Sequence, residues 1–192
     1  MAAEVAALAA GLLRKLEGRR ASGEVVERRD AGAAAARVCG DWGVRRALLA
    51  GDPLLDDLGV SEALAGAGCE VLRWPDGRGL GWRELLGLEG PQDTCGVTVP
   101  LLGVAERGTL LLGTGPGHGR SIDVVSMRHL AVLPAERLRP TLAGALAEAY
   151  GGAGLPPSAV SLVSAPSRTS DIEKISTLGA HGSVSMHVLV VT

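Results

Sequence analysis

The chain has 192 residues, a formal net charge of −2 and a hydrophobic content of 46%. This length and composition fit a single domain over residues 1–192 with a substantial core. Arginines are scattered among acidic residues and form no basic stripe, so the charge pattern argues against a nucleic-acid partner. Phe is absent, and we therefore expect a core of Leu, Val and Ala.

The amino-terminal region predicts two helices. Apolar residues recur at helical spacing over residues 2–16, so residues 1–20 are expected to form an amphipathic helix that breaks at 18–23. An Ala-rich second helix is expected over 31–41. The uncharged run 5–13 is too short to cross a bilayer, and Glu4 stands where a secretory signal would carry positive charge. We expect a cytoplasmic protein without membrane insertion.

Short apolar runs then alternate with helical stretches. The runs lack strict apolar–polar alternation, which is typical of strands buried on both faces of a parallel sheet. The predicted class is therefore α/β, a layered fold with a mostly parallel sheet. The predicted strands are 47–50, 71–74, 96–99, 109–112, 129–133, 160–163 and 187–191, and the predicted helices between them are 61–67, 82–88 and 140–150.

Three widely spaced cysteines limit the possible redox and metal chemistry. Cys39, Cys69 and Cys95 form no CxxC or CxxxC pair, so the spacing that holds an iron–sulfur cluster or structural zinc is missing. A disulfide framework is equally unsupported, which suits a reducing compartment. We expect small buried hydrophobic side chains, no metal site and no cofactor in this chain.

A glycine-rich segment follows the predicted strand 109–112. Its sequence, GTGPGHGRS over 113–121, allows backbone amides to approach an anion. It is not a nucleotide fingerprint, because His118 and Arg120 occupy the third-glycine positions of GxGxxG, and Walker A fails as well. A flexible surface turn is an equal alternative. The candidate ligand-binding residues here are Gly113, Thr114, Gly115, Gly117 and Arg120.

A second polar segment, SAPSRTSDIE over 164–173, follows the predicted strand 160–163. Its S-x-x-E pair, Ser170 and Glu173, predicts that a short helix or turn begins there. Free amides, hydroxyls and a guanidinium at such an end suit a carboxylate or phosphate; the alternative is simple helix capping. The candidate ligand-binding residues here are Ser167, Arg168, Thr169, Asp171 and Glu173.

Two further candidates stand near other strands. His181 lies between glycines in GAHG and is expected to titrate near neutrality, whereas His187 suits a hydrogen-bonded core position. Glu106 precedes a buried strand and is a speculative catalytic carboxylate. Its alternative role is a solvated turn residue paired with Arg107.

Several of these segments together resemble the LutC/YkgG family, also described as the lactate utilization protein C or LUD-domain family. The resemblance rests on APSRTSDIE at 165–173, LGAHG at 178–182 and MHVLV at 186–190, preceded by AERGTL at 105–110, the glycine-rich segment and HLAV at 129–132. The segments occur in the family's order and cover the second half of the chain.

The resemblance implies a NagB/RpiA/CoA-transferase-like fold, a three-layer α/β sandwich. It also implies a part in oxidising L-lactate to pyruvate beside iron–sulfur lactate-utilization subunits, with the clusters in those partners. On this hypothesis, segments 113–120 and 165–173 meet at one pocket edge and bind a small carboxylate or a partner.

Two other functions remain open from the sequence. A free-standing enzyme of acyl-transfer or phosphate-ester chemistry would use Glu106 as its carboxylate, by analogy with enzymes of the implied fold. A nucleotide- or CoA-binding regulatory module would need an irregular phosphate-binding loop.

Overall fold

The computed structural model describes residues 2–74, 93–119, 122, 126–151, 156–170, 176–178 and 182–192. Its helices are α1 (Ala2–Glu17), α2 (Ala31–Asp41), α3 (Leu54–Asp57), α4 (Val60–Gly66) and α5 (Leu142–Gly151). Its strands are β1 (Ser22–Val26), β2 (Arg46–Leu49), β3 (Glu70–Arg73), β4 (Thr94–Thr98), β5 (Leu102–Val104), β6 (Thr109–Gly113), β7 (Arg128–Pro134), β8 (Leu138–Arg139), β9 (Val160–Val163), β10 (Arg168–Ser170), β11 (Ser176–Leu178) and β12 (Ser185–Val191).

The main sheet has six strands in the order β1-β12-β7-β4-β2-β3, and each pair of neighbouring strands in it runs parallel. A second, four-stranded sheet has the order β8-β5-β6-β9, and β10 pairs with β11 in a separate antiparallel hairpin. The α/β class with a parallel sheet is therefore confirmed.

Both faces of the main sheet are buried, as the continuous apolar runs predict. Along β12, Val188 and Val190 pack with α1 and Leu110 of the second sheet, whereas Leu189 and Val191 pack with α2. The opposite face of the second sheet is covered by α5, through a small cluster that contains Ala145. The layers are thus α2–α4, the main sheet, α1 with the second sheet, and α5.

Two predicted strands lie in the second sheet rather than the parallel one. β6 pairs antiparallel with β5 and β9. A short turn joins β5 to β6, and Gly108 adopts a positive φ of 59° in it. Such a turn can join only antiparallel strands, because a parallel pair needs a long crossover. The sequence analysis did not anticipate β5 and expected only a break where β1 begins.

The predicted helices largely correspond to observed ones. α1 extends one residue beyond the range 2–16, and α2 spans the predicted 31–41. The helix predicted over 82–88 lies outside the described residues. Within the described ranges, no helix is long and apolar enough to cross a membrane.

Candidate functional site

A cavity of ≈ 640 Å³ opens at the carboxyl edge of the main sheet. Open α/β sheets bind ligands at this edge, beyond the ends of the strands. The cavity is lined by segments that follow β2, β4, β6 and β7 and by the end of α5. Its lining residues are Ala50, Gly51, Asp52, Pro53, Val99, Leu101, Leu102, Gly113, Thr114, Gly115, Gly117, His118, Arg137, Glu148, Ala149 and Pro157.

Two loops are locked together at one corner of this cavity. The Gly51 amide donates to the Gly117 carbonyl at 2.7 Å. A Cβ on Gly51 would lie 2.2 Å from the Trp74 carbonyl oxygen, so only glycine fits there. Because Asp52 follows Gly51 and His118 follows Gly117, this bond holds Asp52 and His118 in neighbouring positions on the cavity wall.

Two glycines of segment 113–119 allow close packing. A Cβ on Gly113 would lie 2.3 Å from Leu101 Cδ1, and one on Gly119 would lie 2.5 Å from Trp74 Cζ2. Gly115 and His118 exchange backbone hydrogen bonds of 3.0 and 3.1 Å. Contact with the rest of the protein thus explains Gly113 and Gly119, whereas a Cβ on Gly115 would meet nothing within 4 Å.

The expected anion cradle of backbone amides has little support in this segment. The amide of Thr114 donates to the Ala159 carbonyl, and the amides of Gly115 and His118 donate to each other's carbonyls. Three of the segment's amides are therefore already engaged, which leaves fewer of them for an anion in the cavity.

His118 is the titratable base on the polar wall. Burial lowers the pKa of His118, and the negative charge of Asp52 opposes this effect without overcoming it. The imidazole is therefore neutral at pH 7. The Leu54 amide at the start of α3 holds the Asp52 carboxylate, because it donates a hydrogen bond of 3.0 Å to Asp52 Oδ1.

A second histidine is buried beneath this region. His129 on β7 has no exposed surface, and its Nε2 atom lies 2.8 Å from the Thr98 hydroxyl. Burial, helped by the proximity of His118, lowers the pKa of His129 to about 4. Its Nδ1 atom has no hydrogen-bond partner among the described residues. A buried polar atom of this kind is uncommon and often marks a functional site.

Two charged side chains complete the lining. The Arg137 Nη1 atom donates to the Pro100 carbonyl at 3.0 Å, which fixes the guanidinium. Glu148 is already occupied, because both of its oxygens accept 2.6 Å bonds from Arg139. This pairing lowers the pKa of Glu148, mainly through the hydrogen bonds. Arg137 thus supplies positive charge to the cavity, while the negative charge of Glu148 is compensated by Arg139.

The predicted ligand-binding residues divide into separate groups. Gly113, Thr114, Gly115 and Gly117 all line the cavity. Arg168 and Thr169 form part of β10. The residues Arg120, Asp171, Glu173 and His181 lie outside the described part of the chain, as does most of the helix or turn expected after Ser170.

The structure does not bring segment 165–167 to the cavity. In the antiparallel pair, Val160 faces Gly113 and Val163 faces Leu110, so the chain after β9 leaves the opposite end of the second sheet. The Ser167 amide donates to the Ser183 carbonyl at 2.8 Å, just before the amino end of β12. For residues 165–167 the expectation of a pocket edge shared with 113–120 is wrong, because β9 runs against β6 rather than parallel to it. Residues 171–173 of the predicted segment lie outside the described residues.

Glu106 lies away from the cavity lining and caps a helix. Its Oε1 atom accepts a 2.7 Å bond from the amide of Leu142, the first residue of α5. Arg107 lies 3.9 Å from the same oxygen. A carboxylate at a helix amino end satisfies an unpaired amide and interacts favourably with the helix dipole.

The cysteines occupy the core as expected. Cys39, Cys69 and Cys95 are free and buried, and burial raises the pKa of the Cys95 thiol well above its usual value. In the part of the chain that the structure describes, His, Cys, Asp and Glu side chains form no group of three or more that could hold a metal ion.

The sequence analysis missed Asp52 and Arg137. Both are charged residues within three positions of the end of a buried parallel strand, β2 or β7. That position alone is a usable signal, because it places a side chain at the carboxyl edge of the sheet. Loops of unusual composition were the stronger signal in the sequence.

Comparison with known proteins supports a family assignment. The LUD domain profile matches residues 10–191. "Uncharacterized protein YkgG" of Escherichia coli (strain K12) is 31% identical over 173 residues, which are 88% of this chain and 72% of that protein. "Lactate utilization protein C" of Halalkalibacterium halodurans is 30% identical over 155 residues, 79% of this chain and 64% of the relative.

A solved structure gives the same picture of the fold. A DUF162 family protein from Deinococcus radiodurans superposes with a TM-score of 0.62, covering 95% of this chain and 98% of that one, at 18% identity. At this identity the likeness concerns the fold. Because the domain profile spans nearly the whole sequence and a relative is 31% identical over 88% of it, the chain belongs to the LUD-domain family.

Proposed function

We propose that this protein is a LutC-like, non-redox component of a system that oxidises L-lactate to pyruvate, and that it binds a small carboxylate in the carboxyl-edge cavity. The name of the Halalkalibacterium halodurans relative, "Lactate utilization protein C", supports the metabolic role. The site itself rests on the chemistry of the cavity wall.

One observation carries the carboxylate proposal: the guanidinium of Arg137 lines the cavity while the Pro100 carbonyl holds one of its nitrogens. A guanidinium has five N–H donors, so most of them remain available to a ligand. Arginine binds carboxylates with paired, charge-assisted hydrogen bonds. The Thr114 hydroxyl lines the same cavity and offers a further donor.

The electron transfer is assigned to partner subunits that carry iron–sulfur clusters. The three cysteines of this chain are too few for four-thiolate ligation of a cluster, and all three are buried. Their placement favours a packing role. We therefore propose that this chain binds the acid or a partner while the redox centres lie in other subunits.

Calorimetric titration of the whole chain with L-lactate, pyruvate, CoA and nicotinamide dinucleotides tests the ligand. We expect the two small acids to bind and Arg137→Gln to weaken both at least tenfold, because a charge-assisted hydrogen bond contributes about 1.5–3 kcal/mol. Arg29→Gln is the matched control, because Arg29 is an exposed arginine outside the cavity lining. Tighter binding of CoA or a dinucleotide than of either acid would favour the regulatory-module alternative.

A second experiment addresses the division of labour. Tagged protein expressed in its own cells is expected to co-purify with iron–sulfur subunits, and the isolated chain is expected to show no lactate oxidation with an artificial electron acceptor. Substantial turnover by the isolated chain would contradict the non-redox role. The Arg137→Gln protein should retain its partners if the cavity serves the acid rather than the interface.

A further inference from the structure

The polar corner formed by Asp52 and His118 is not used by carboxylate binding. Both residues line the cavity that contains Arg137, and the Gly51–Gly117 backbone bond fixes their relative position. A fixed, neutral imidazole on a cavity wall has one donor and one acceptor nitrogen. This arrangement suits a ligand that has a second polar group besides its carboxylate.

We propose that Asp52 and His118 form a recognition pair for the oxygen on carbon 2 of the bound acid. This proposal rests on the proposed function. The acid's carboxylate binds Arg137, and the His118 ring accepts a hydrogen bond from a 2-hydroxyl or donates one to a 2-keto oxygen. No covalent bond changes in this step. The pair thereby distinguishes 2-hydroxy and 2-keto acids from acids without an oxygen on carbon 2.

The surroundings of His118 favour the neutral ring that this role requires. Buried His129 adds no positive charge because it is itself neutral, and Asp52 contributes one negative charge from the neighbouring loop. On the remaining cavity wall, Arg137 is positive and Glu148 is compensated by Arg139. His118 therefore faces charges that nearly balance, and burial decides its state.

The role of Asp52 is to polarise the ring through its negative charge, which acts on His118. A carboxylate beside an imidazole favours the tautomer whose N–H points toward it, which leaves the other nitrogen as the acceptor. The Leu54 amide fixes the carboxylate at 3.0 Å. Asp52→Asn retains an oxygen acceptor for this amide and removes only the charge.

Titration of the isotopically labelled whole chain with L-lactate, pyruvate and propionate, followed by NMR, tests the pair. Propionate has the carboxylate but no oxygen on carbon 2. One neutral hydrogen bond contributes about fivefold in affinity, so the wild type should bind lactate and pyruvate about fivefold more tightly than propionate. His118→Leu should abolish this preference and leave propionate binding unchanged. His118→Gln, which keeps a donor and an acceptor, should restore part of it.

The outcomes separate the two proposals. If all three acids bind equally to the wild type, or if His118→Leu keeps the preference, the recognition pair is wrong, although carboxylate binding at Arg137 stands. If no acid binds, the proposed function and the pair both fail. Thermal unfolding of each variant verifies that it is folded before the titration.

The same NMR samples report the coupling within the pair. The pKa of His118 should lie below its ordinary value in the wild type and fall further in Asp52→Asn, because the negative charge that favours the imidazolium is lost. Asp57→Asn is the matched control on the short helix that follows Asp52, since Asp57 does not line the cavity. An unchanged His118 pKa in Asp52→Asn would contradict the pairing.

Discussion

Two histidines in this protein stand beside carboxylates in very different surroundings. His187 on β12 is enclosed: its Nδ1 atom lies 2.7 Å from the Ser22 hydroxyl and its Nε2 atom lies 3.2 Å from Glu24 Oε1. Trp42 meets the ring edge-on, with centroids 6.4 Å apart. His118, by contrast, lies on the wall of a cavity beside Asp52.

This contrast shows which of the two imidazoles is available to a ligand. In both cases burial lowers the imidazole pKa and a carboxylate partly opposes it. Both nitrogens of His187 have partners within the protein, so that ring ties β12 to the edge strand β1. The side chain of His118 faces space that a ligand can fill. His118 and His187 are thus alike in residue type and in the direction of their pKa shifts. They differ in access to the cavity, which makes His118 the one that can contact a ligand.

The largest expected effect concerns His129, the buried neighbour of His118. Its pKa is about 4 in the folded protein and about 6.5 in the unfolded chain. Between pH 4 and pH 6.5 the His129 imidazole is protonated in the unfolded chain but stays neutral in the folded protein. The stability that neutral His129 contributes is therefore complete above pH 6.5 and is lost as the pH falls to 4. The loss is about 3 kcal/mol. Urea unfolding at pH 7 and pH 4.5 measures it.

Replacement of His129 isolates this contribution. His129→Leu should flatten the dependence of unfolding free energy on pH across this window. His187→Leu should flatten it less, because Glu24 opposes the effect of burial at that site. Parallel pH curves for the wild type and His129→Leu would show that His129 is not held neutral by burial.

The next effect concerns the corner that positions Asp52 and His118. Gly51→Ala would place a Cβ 2.2 Å from the Trp74 carbonyl oxygen, so the loop must shift at a cost of about 2 kcal/mol. We expect a lower melting temperature and a loss of the preference for lactate over propionate. Gly40→Ala is the matched control, since nothing lies within 4 Å of that position in α2. It should stabilise the protein by about 0.5–1 kcal/mol.

The sequence predicted the buried parts of the fold better than its edges. The run at 129–133 appears as β7 and the run at 187–191 as β12, because central parallel strands are apolar on both faces. β1 (SGEVV) went undetected because an edge strand is half exposed and carries polar residues. Periodicity within a strand also contains no information about its partner, so the antiparallel pairing of β6 with β5 and β9 could not be predicted.

The candidate site was predicted only in part. Segment 113–117 was identified by its glycines, although Gly113 serves a close contact with Leu101 rather than a ligand. Asp52 escaped notice because an Asp before Pro also suits an ordinary turn. The association of Asp52 with His118 depends on contact between loops far apart in the chain, and no local pattern in the sequence encodes such contact.

A smaller effect is expected at the enclosed histidine. Ser22→Ala removes the partner of the His187 Nδ1 atom, which should cost about 1 kcal/mol of stability. Because this cluster lies away from the cavity lining, lactate and propionate binding should not change. A changed preference for lactate over propionate in a folded Ser22→Ala protein would show that His187, like His118, affects ligand binding.

The smallest effect concerns Glu106, the carboxylate that the sequence suggested as catalytic. Glu106→Gln keeps an oxygen for the Leu142 amide and removes only the charge at the start of α5. The lost interaction with the helix dipole should cost about 0.5 kcal/mol, visible as a small fall in melting temperature.

Acid binding is expected to remain unchanged in Glu106→Gln, and so is the pKa of His118, which Asp52→Asn should lower. Both carboxylates accept a bond from a helix amide, but only Asp52 also lines the cavity. Loss of acid binding in a folded Glu106→Gln protein, measured by the same titration, would instead support the free-standing enzyme. The same His118 pKa in both variants would mean that position on the cavity wall does not decide which carboxylate acts at the site.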